Sequence, residues 1–256
     1  MVWFWRKKRV QLPAKPSVPT LWRVDQYEGQ PRIRVLATQL SDREPSPSRR
    51  RALLNDWVRF LSIETNIVDL DLASRVPQEL LDAVRGQRGL ERLAVKWGPY
   101  RDLSSLSGLH QLEEVTLGGA TSVESLDPLT SLPALSRLNV TQAHRADGTV
   151  LGRATSLREL CFGNDHLGSD RNVDLADLRW VGSLVALRRL ELPGTRLIDP
   201  DLTPILGLPH LEVLRIPLRR AYRKQVYEFA ARSDVFARVA ADYREHEEYV
   251  RSNRDR

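Results

Sequence analysis

Several residue types and patterns are scarce or missing in this 256-residue sequence, and each absence excludes a class of protein. The single cysteine, Cys161, excludes an internal disulfide framework and a cysteine-rich zinc site. No apolar run approaches the roughly 18 residues that a membrane-spanning helix needs. The chain starts with aromatic and then basic residues, whereas a secretory signal places its basic region first. The sequence therefore predicts a cytoplasmic protein without disulfides.

The usual signatures of catalysis and cofactor binding are also missing. No glycine-rich phosphate loop is present, and the five histidines are spaced too irregularly for a metal site on a helix. The segment from Asp170 to Asp174 mimics the start of a calcium loop, but Leu175 stands where that loop requires glycine. Only Cys161 and scattered carboxylates would support an enzyme, and a lone thiol is more often inert than nucleophilic. We therefore expect no cofactor, no resident metal and no catalytic activity.

What the sequence does contain is a repeated spacing of apolar residues. Seven segments share the pattern apolar-x-x-apolar-x-apolar, with starts 22 to 30 residues apart. These segments begin at Ile67, Leu90, Leu112, Leu135, Leu157, Leu187 and Leu211. The alternation within each segment is typical of a short strand that is buried on one face.

The stretches between these segments have a second spacing, in which an apolar residue recurs every third position. One such run consists of Leu103, Leu106, Leu109 and Leu112. A spacing of three favours a 3-10-like turn with one apolar edge. Because a single unit of strand and turn cannot bury its own leucines, the units must stack, which gives a parallel sheet over a continuous core.

These motifs resemble the leucine-rich repeat family, in its short class of about 22 residues per repeat typified by bacterial internalins. The resemblance covers residues 67–218 and implies a bacterial α/β solenoid of about seven repeats with helical caps at both ends. The chain departs from the family in one feature: it lacks the asparagine that commonly follows the strand. The residues at the matching positions are Gly98, Ala120, Ala143, Asp165 and Thr195.

The flanking segments differ from the repeats, as the ends of an open solenoid must. Residues 1–19 form a basic and aromatic tail that also contains prolines, and residues 20–66 are predicted to form a cap made of a hairpin and a helix. Residues 219–256 are predicted to form a helical cap with a break at Ser233 and Asp234. The C-terminal apolar stripe indicates packing on the last repeat, and it is also compatible with a partner helix.

The resemblance implies that the sheet lines a concave side, on which the polar strand positions face solvent. At the third position of successive strands the sign of the charge alternates. The residues of this row are Asp69, Arg92, Glu114, Arg137, Glu159 and Arg189. Neighbouring strands lie about 4.8 Å apart, so these side chains can form a ladder of opposite charges. The ladder could hold the sheet together or serve as a charged docking surface.

From this face we predict a non-catalytic scaffold that binds a protein partner through the concave side and the adjacent loops. Trp97 is the first candidate for an anchor, because tryptophan and tyrosine dominate interface hot spots, although it could equally cover the edge of the core. The candidate contact residues are Arg92, Lys96, Trp97, Tyr100, Glu114, Arg137, Asn139, Glu159, Arg189, Glu191 and Arg215.

An alternative role is attachment to an anionic membrane surface or to nucleic acid through the N-terminal tail. The candidate contacts there are Trp3, Phe4, Trp5, Arg6, Lys7, Lys8 and Arg9. Residues 1–66 hold 13 basic and 6 acidic residues, whereas residues 67–218 hold 16 and 20. The repeats themselves therefore do not favour nucleic acid, and any electrostatic attachment is expected at the ends. The tail could instead be frayed or form a short strand against the domain.

Overall fold

The computed structural model describes residues 18–164 and 171–254. The strands are β1 (Thr20–Leu21), β2 (Arg32–Val35), β3 (Asp69–Arg75), β4 (Arg92–Trp97), β5 (Glu114–Leu117), β6 (Arg137–Thr141), β7 (Glu159–Gly163), β8 (Val173–Leu175), β9 (Arg189–Glu191), β10 (Thr195–Leu197) and β11 (Val213–Arg215). The helices are α1 (Pro47–Leu61), α2 (Gln78–Ala83), α3 (Asp127–Thr130), α4 (Thr203–Leu206), α5 (Arg220–Ala230) and α6 (Asp234–Arg254). Short 3-10 segments fill most of the remaining returns.

Nine of these strands form one parallel sheet, in the order β1-β2-β3-β4-β5-β6-β7-β9-β11. All seven strands predicted from the apolar spacing are present in it, and the repeats follow one another in sequence order. The strand residues alternate between buried and half-exposed, as in β5, where Val115 and Leu117 are buried. The predicted α/β leucine-rich repeat solenoid with helical caps is therefore confirmed.

The returns between strands show why leucines recur every third residue. In the return before β5, the amides of Leu106, Leu109 and Leu112 each donate to the carbonyl three residues earlier, over 2.9, 3.0 and 3.0 Å. This chain of i to i+3 bonds is 3-10 geometry, which brings every third side chain to the same edge. All three leucines are fully buried. The spacing of three residues between leucines therefore reflects a series of consecutive 3-10 turns.

The N-terminal cap differs from its prediction in one respect. The expected hairpin between residues 20–27 and 32–37 was wrong, because β1 pairs with β2 in parallel, with Thr20 opposite Arg34. A 3-10 turn at Val24–Gln26 returns the chain to the starting end of the sheet, and the side-chain oxygen Oε1 of Gln26 accepts hydrogen bonds from the backbone amides of Trp22 and Arg23. The cap therefore adds two more coils to the solenoid.

The helices that close the two ends are close to those predicted. Helix α1 begins after Ser46, whose hydroxyl accepts a hydrogen bond from the Arg49 amide at 3.4 Å, and it packs on α2. Helices α5 and α6 pack against each other and are separated at the predicted break, and α6 contacts the last strand β11. The buried residues of this C-terminal cap include Tyr222, Val226, Phe229, Phe236, Val239 and Tyr243.

A second, two-stranded parallel sheet was not predicted. Strands β8 and β10 pair from Val173–Thr195 to Leu175–Leu197, and Arg196 forms an ion pair with Asp174 at 2.6 Å. Strand β8 belongs to the longest return, which accounts for the 30 residues between the segment starts at Leu157 and Leu187.

The absence of the usual asparagine after the strand has a steric explanation at Gly98. A Cβ atom built on Gly98 would lie 2.0 Å from the carbonyl oxygen of Val76 in the preceding coil. Any side chain there would collide with backbone that cannot move aside. At two further positions, Ala120 and Ala143 are fully buried and fill the space with a methyl group. Asp165 lies outside the described residues.

We predict that Gly98→Ala lowers the free energy of unfolding by about 1–3 kcal/mol, the usual result of forcing an atom into a packed interior. Gly89→Ala is the matched control, since a Cβ there meets nothing within 4 Å. Urea unfolding of both variants measures the difference, and equal stabilities would contradict the steric explanation.

Candidate functional site

The outward face of the nine-stranded sheet is the main polar surface that the repeats create. We define the sheet face as the outward-pointing residues of β2 to β7, β9 and β11, together with Lys96 and Trp97 at the end of β4. The caps pack at the two ends of the solenoid: α1 on α2 and on the turns at Val24–Gln26 and Val84–Gly86, and α6 on β11. The polar residues of the central strands remain half-exposed.

The first row of this face is the alternating charge row, and its predicted register is confirmed. The pairing places Asp69 opposite Arg92, and each following member of the row opposite the next. Three ion pairs form across the strands: Arg92 Nε to Asp69 Oδ2 at 3.0 Å, Arg137 Nη2 to Glu114 Oε2 at 3.0 Å, and Arg189 Nε to Glu159 Oε2 at 3.4 Å. Every acid therefore pairs with the arginine on the next strand along.

The pair between Arg92 and Asp69 is the most buried of the three. Only 21% of the Arg92 side chain and 26% of the Asp69 side chain are exposed, less than in the other two pairs. Burial by itself disfavours the charged guanidinium of Arg92. The hydrogen bonds and charges of Asp69 and Glu91 outweigh this effect and raise the pKa of Arg92. Asp69, Glu91 and Arg92 thus form a three-membered ionic cluster.

The second row of the sheet face is charged only at its ends. At one end Arg34 Nε contacts Asp71 Oδ2 at 2.7 Å, and at the other Arg215 contacts Glu191 at 3.5 Å. The residues between them are Ala94, Thr116, Asn139 and Cys161. The side-chain oxygen of Asn139 is buried and has no hydrogen-bond partner within the described residues. A neutral strip of small side chains therefore runs across the middle strands.

A groove of about 600 Å³ opens over the first part of this strip. Its lining residues are Thr20, Arg34, Leu36, Asp71, Ala73, Ala94, Val95, Lys96, Thr116 and Gly118. The groove exists because Ala73, Ala94 and Gly118 have little or no side chain between taller charged neighbours. The space is large enough to take side chains from another molecule.

Trp97 and Lys96 lie at the rim of this groove, at the end of β4. Trp97 keeps 39% of its surface exposed, and the guanidinium carbon of Arg75 lies 6.0 Å from the centroid of its ring. Lys96 is exposed, and its ammonium has no ion pair within the described residues. An exposed tryptophan beside two cations is the composition expected of an interface anchor.

Tyr100 is a correction to the predicted set of contact residues. Its side chain is fully buried, and its hydroxyl donates a 2.9 Å hydrogen bond to the carbonyl oxygen of Gly118 in the next coil. Burial also raises the pKa of this phenol well above its usual value. Tyr100 therefore ties two coils together beneath the surface and presents nothing to a partner.

The structure brings the rest of the predicted set onto one face. Arg92, Glu114, Arg137, Glu159 and Arg189 form the first row, and Asn139, Glu191 and Arg215 belong to the second, with Lys96 and Trp97 at the rim. The membrane or nucleic-acid candidates from Trp3 to Arg9 lie outside the described residues, so that alternative stays a prediction.

Sequence reasoning missed the contribution of β2, which adds Arg32 and Arg34 to the two rows. Arg32 lies opposite Asp69 and Arg34 opposite Asp71. The signal was present, because Arg32 to Val35 has the same alternation as the other strands. The alternation was assigned to a hairpin instead of a repeat, because Gln30 stands where the repeat pattern begins with an apolar residue.

The described residues contain neither a metal-binding cluster nor a membrane-spanning helix. In the described ranges 18–164 and 171–254, no three His, Cys, Asp or Glu side chains come together in a way that could hold a metal ion. No helix of that part of the chain is both long and apolar enough to cross a bilayer. The expectations of a non-catalytic, bacterial and cytoplasmic protein stay predictions.

No protein-family model matches the chain, and no curated protein matches it in sequence. Among solved structures, internalin inlF of Listeria monocytogenes aligns at 21% identity with a TM-score of 0.48, over 59% of this chain and 48% of that one. Internalin C2 of the same organism aligns at 17% identity and 0.41, over 61% and 73%. A leucine-rich repeat protein of Leptospira interrogans aligns at 18% identity and 0.46, over 59% and 43%.

The alignment thus spans about half the length of the inlF chain. Because these similarities are low, the class of this chain rests on its own strand register and leucine spacing. These define a leucine-rich repeat solenoid with short repeats. The likeness to these proteins concerns the fold alone.

The charge row leads to a prediction about stability. Glu114→Arg would set three arginines side by side, and we expect it to lower the free energy of unfolding by about 0.5–2 kcal/mol, since one ion pair is lost and like charges face each other. Adding Arg137→Glu to this variant restores one pair of opposite charges, between positions 114 and 137, but leaves like charges between positions 92 and 114 and between positions 137 and 159, so we expect partial recovery. Urea unfolding at low and high salt measures both effects. If high salt did not reduce the loss of stability in Glu114→Arg and its partial recovery in the double variant, an ionic cause would be contradicted.

The burial of Tyr100 leads to a second prediction. Tyr100→Phe removes the hydrogen bond to Gly118 but keeps the ring, so we expect a loss of about 0.5–1.5 kcal/mol in the free energy of unfolding. Thermal unfolding measures this loss. Because the hydroxyl is inaccessible, binding to any partner should stay within experimental error of the unsubstituted protein, and a clear loss of binding in a stable variant would return Tyr100 to the contact set.

Proposed function

We propose that this chain is a protein-binding module whose partner contacts the sheet face and the loop at Trp97. The observation that supports this most strongly is a broad polar face that the two caps leave uncovered and that contains a groove. Seven strand spacings of about 4.8 Å give a width of about 34 Å, and four residues along each strand at about 3.3 Å per residue give a height of about 13 Å. The resulting footprint of about 440 Å² is smaller than the roughly 800 Å² per partner of a stable interface. The adjoining loop at Trp97 is therefore expected to take part in binding.

The chemistry of the face supports binding rather than catalysis. Its charged groups are mostly engaged with one another, and its neutral strip contains only Ala94, Thr116, Asn139 and Cys161. Such a surface offers area, shape and a few hydrogen-bonding groups, which are what recognition of another protein requires.

Site-specific photo-crosslinking in lysate of the native organism tests this function. A benzophenone-bearing residue at Thr116, in the groove, should capture a defined partner. The same residue at Ser107, which is exposed on a return, serves as the matched control and should not capture it. Equal capture at both positions, or no capture at Thr116, would remove the sheet face as the binding site.

A further inference from the structure

The charges on the sheet face do not all cancel, and those left over share one sign. In the first row each acid is paired with the arginine of the following strand, so the first member, Arg32, is left without an acid. Lys96 and Arg75 also have no acidic partner within the described residues, and both are exposed. Every unmatched charge that we identify on β2 to β4 is therefore a cation.

One of these three cations lines the groove, and the other two lie on strands that contribute to its lining. Lys96 is part of its lining, Arg75 lies over the neighbouring Trp97 ring at 6.0 Å, and Arg32 is on the same strand as the lining residue Arg34. At the other end of the face the charges are matched, since Arg189 and Arg215 both contact Glu191. The unpaired positive charge is thus concentrated where the groove and the exposed tryptophan also lie.

We propose that this groove binds an extended acidic peptide segment of the partner protein, with Lys96, Arg75 and Arg32 pairing with its carboxylates and Trp97 packing against an apolar or aromatic side chain. The proposal rests on the proposed function and specifies the chemistry of the partner. Opposite charges at an interface mainly set specificity and association rate. A carboxylate also gains more from three unmatched cations than from arginines that already have partners.

The spacing of the cations fits an extended chain. Lys96 lies two strands away from Arg32 and four residues further along the sheet. With strands about 4.8 Å apart and a rise of about 3.3 Å per residue, the two Cα atoms are separated by about 16 Å. An extended peptide covers that distance in about five residues, so one short segment can reach both ends of the groove.

Carboxylates on the protein favour a peptide over nucleic acid as the occupant. Asp71 lines the groove, and Asp69 lies next to it in the first row. A nucleic acid has a phosphate at every nucleotide and would be forced against these acids. A peptide can place neutral or basic residues opposite them and acids opposite the cations.

Selection of a random dodecapeptide display library on the full chain tests the proposal. The full chain with Arg32→Gln, Arg75→Gln and Lys96→Gln is selected in parallel. Because the three side chains form no hydrogen bonds or ion pairs within the described residues, the triple variant should keep its unfolding temperature. Peptides recovered on the unsubstituted chain should hold about twice the library's fraction of Asp and Glu together with an aromatic residue. On the triple variant this enrichment should disappear.

Individual recovered peptides then give affinities by fluorescence anisotropy. Each single substitution among the three should weaken binding about two- to fivefold, as expected for one exposed ion pair, and added salt should weaken it further. Arg88→Gln is the matched control, because Arg88 is an exposed cation without an acidic partner on a return rather than on the sheet face. This control should change the affinity by less than twofold.

Several results would overturn the proposal. The acidic partner would be refuted if the enriched peptides were not acidic, or if the enrichment survived in the triple variant. Capture of a partner by crosslinking from Thr116 would still support the proposed function in that case. Replacement of Arg6, Lys7, Lys8 and Arg9 by Gln is a further test. If the enrichment of acidic peptides were lost in that variant, the tail and not the groove would be their binding site. Tighter binding of a 12-nucleotide single strand than of any recovered peptide would show that the three cations bind nucleic acid.

Failure to crosslink a partner from Thr116 would instead count against the proposed function itself.

Discussion

Each coil of this solenoid buries its leucines only when the next coil lies beside it in register. The fourth residues of the repeat pattern, Leu70, Leu93, Val115, Leu138, Leu160, Leu190 and Leu214, are matched one to one along the sheet and are all buried. Because strand side chains alternate, a slip by one residue would move this apolar row to the outer face. The register that encloses the core therefore also fixes which polar residues meet outside. The charge row, the neutral strip and the groove all depend on it.

The charge row has a structural role that limits its role in recognition. The pairs formed by Asp69, Glu114 and Glu159 lie within the sheet. Each such exposed pair contributes little stability, about 0–1 kcal/mol, but a partner that used these groups would first have to break the existing contacts. Recognition is therefore expected to depend on groups outside the pairs, which are few and lie near the groove. A face with many charges thus has a small number of charges that can bind.

Sequence spacing predicted the repeats well because each repeat has the same physical task. The buried positions of a strand and of a 3-10 turn have fixed periods, and the cap break at Ser233 and Asp234 had a local signal. The parallel pairing of β1 with β2 was missed, since it depends on the turn anchored by Gln26 and on a strand that lacks the first apolar residue of the pattern.

The candidate site was predicted only in part, and the failures have a common cause. The position of Tyr100 after a strand gave no indication that its ring turns inward to reach Gly118. The groove was likewise invisible, because it arises from small residues on three neighbouring coils. Rows of residues can be derived from one strand at a time, whereas depth and burial depend on the relation between coils.

The alternation of charge along the first row also limits how many repeats can be lost or gained. From Arg32 to Arg189 every neighbour has the opposite sign. Loss of the single repeat that contains Glu114 would bring Arg92 next to Arg137, and duplication of one repeat would likewise set two equal charges together. Loss or gain of two adjacent repeats leaves the alternation unbroken. A solenoid can in principle grow by any number of units, but between β2 and β9 this one can gain or lose internal repeats without electrostatic conflict only in pairs.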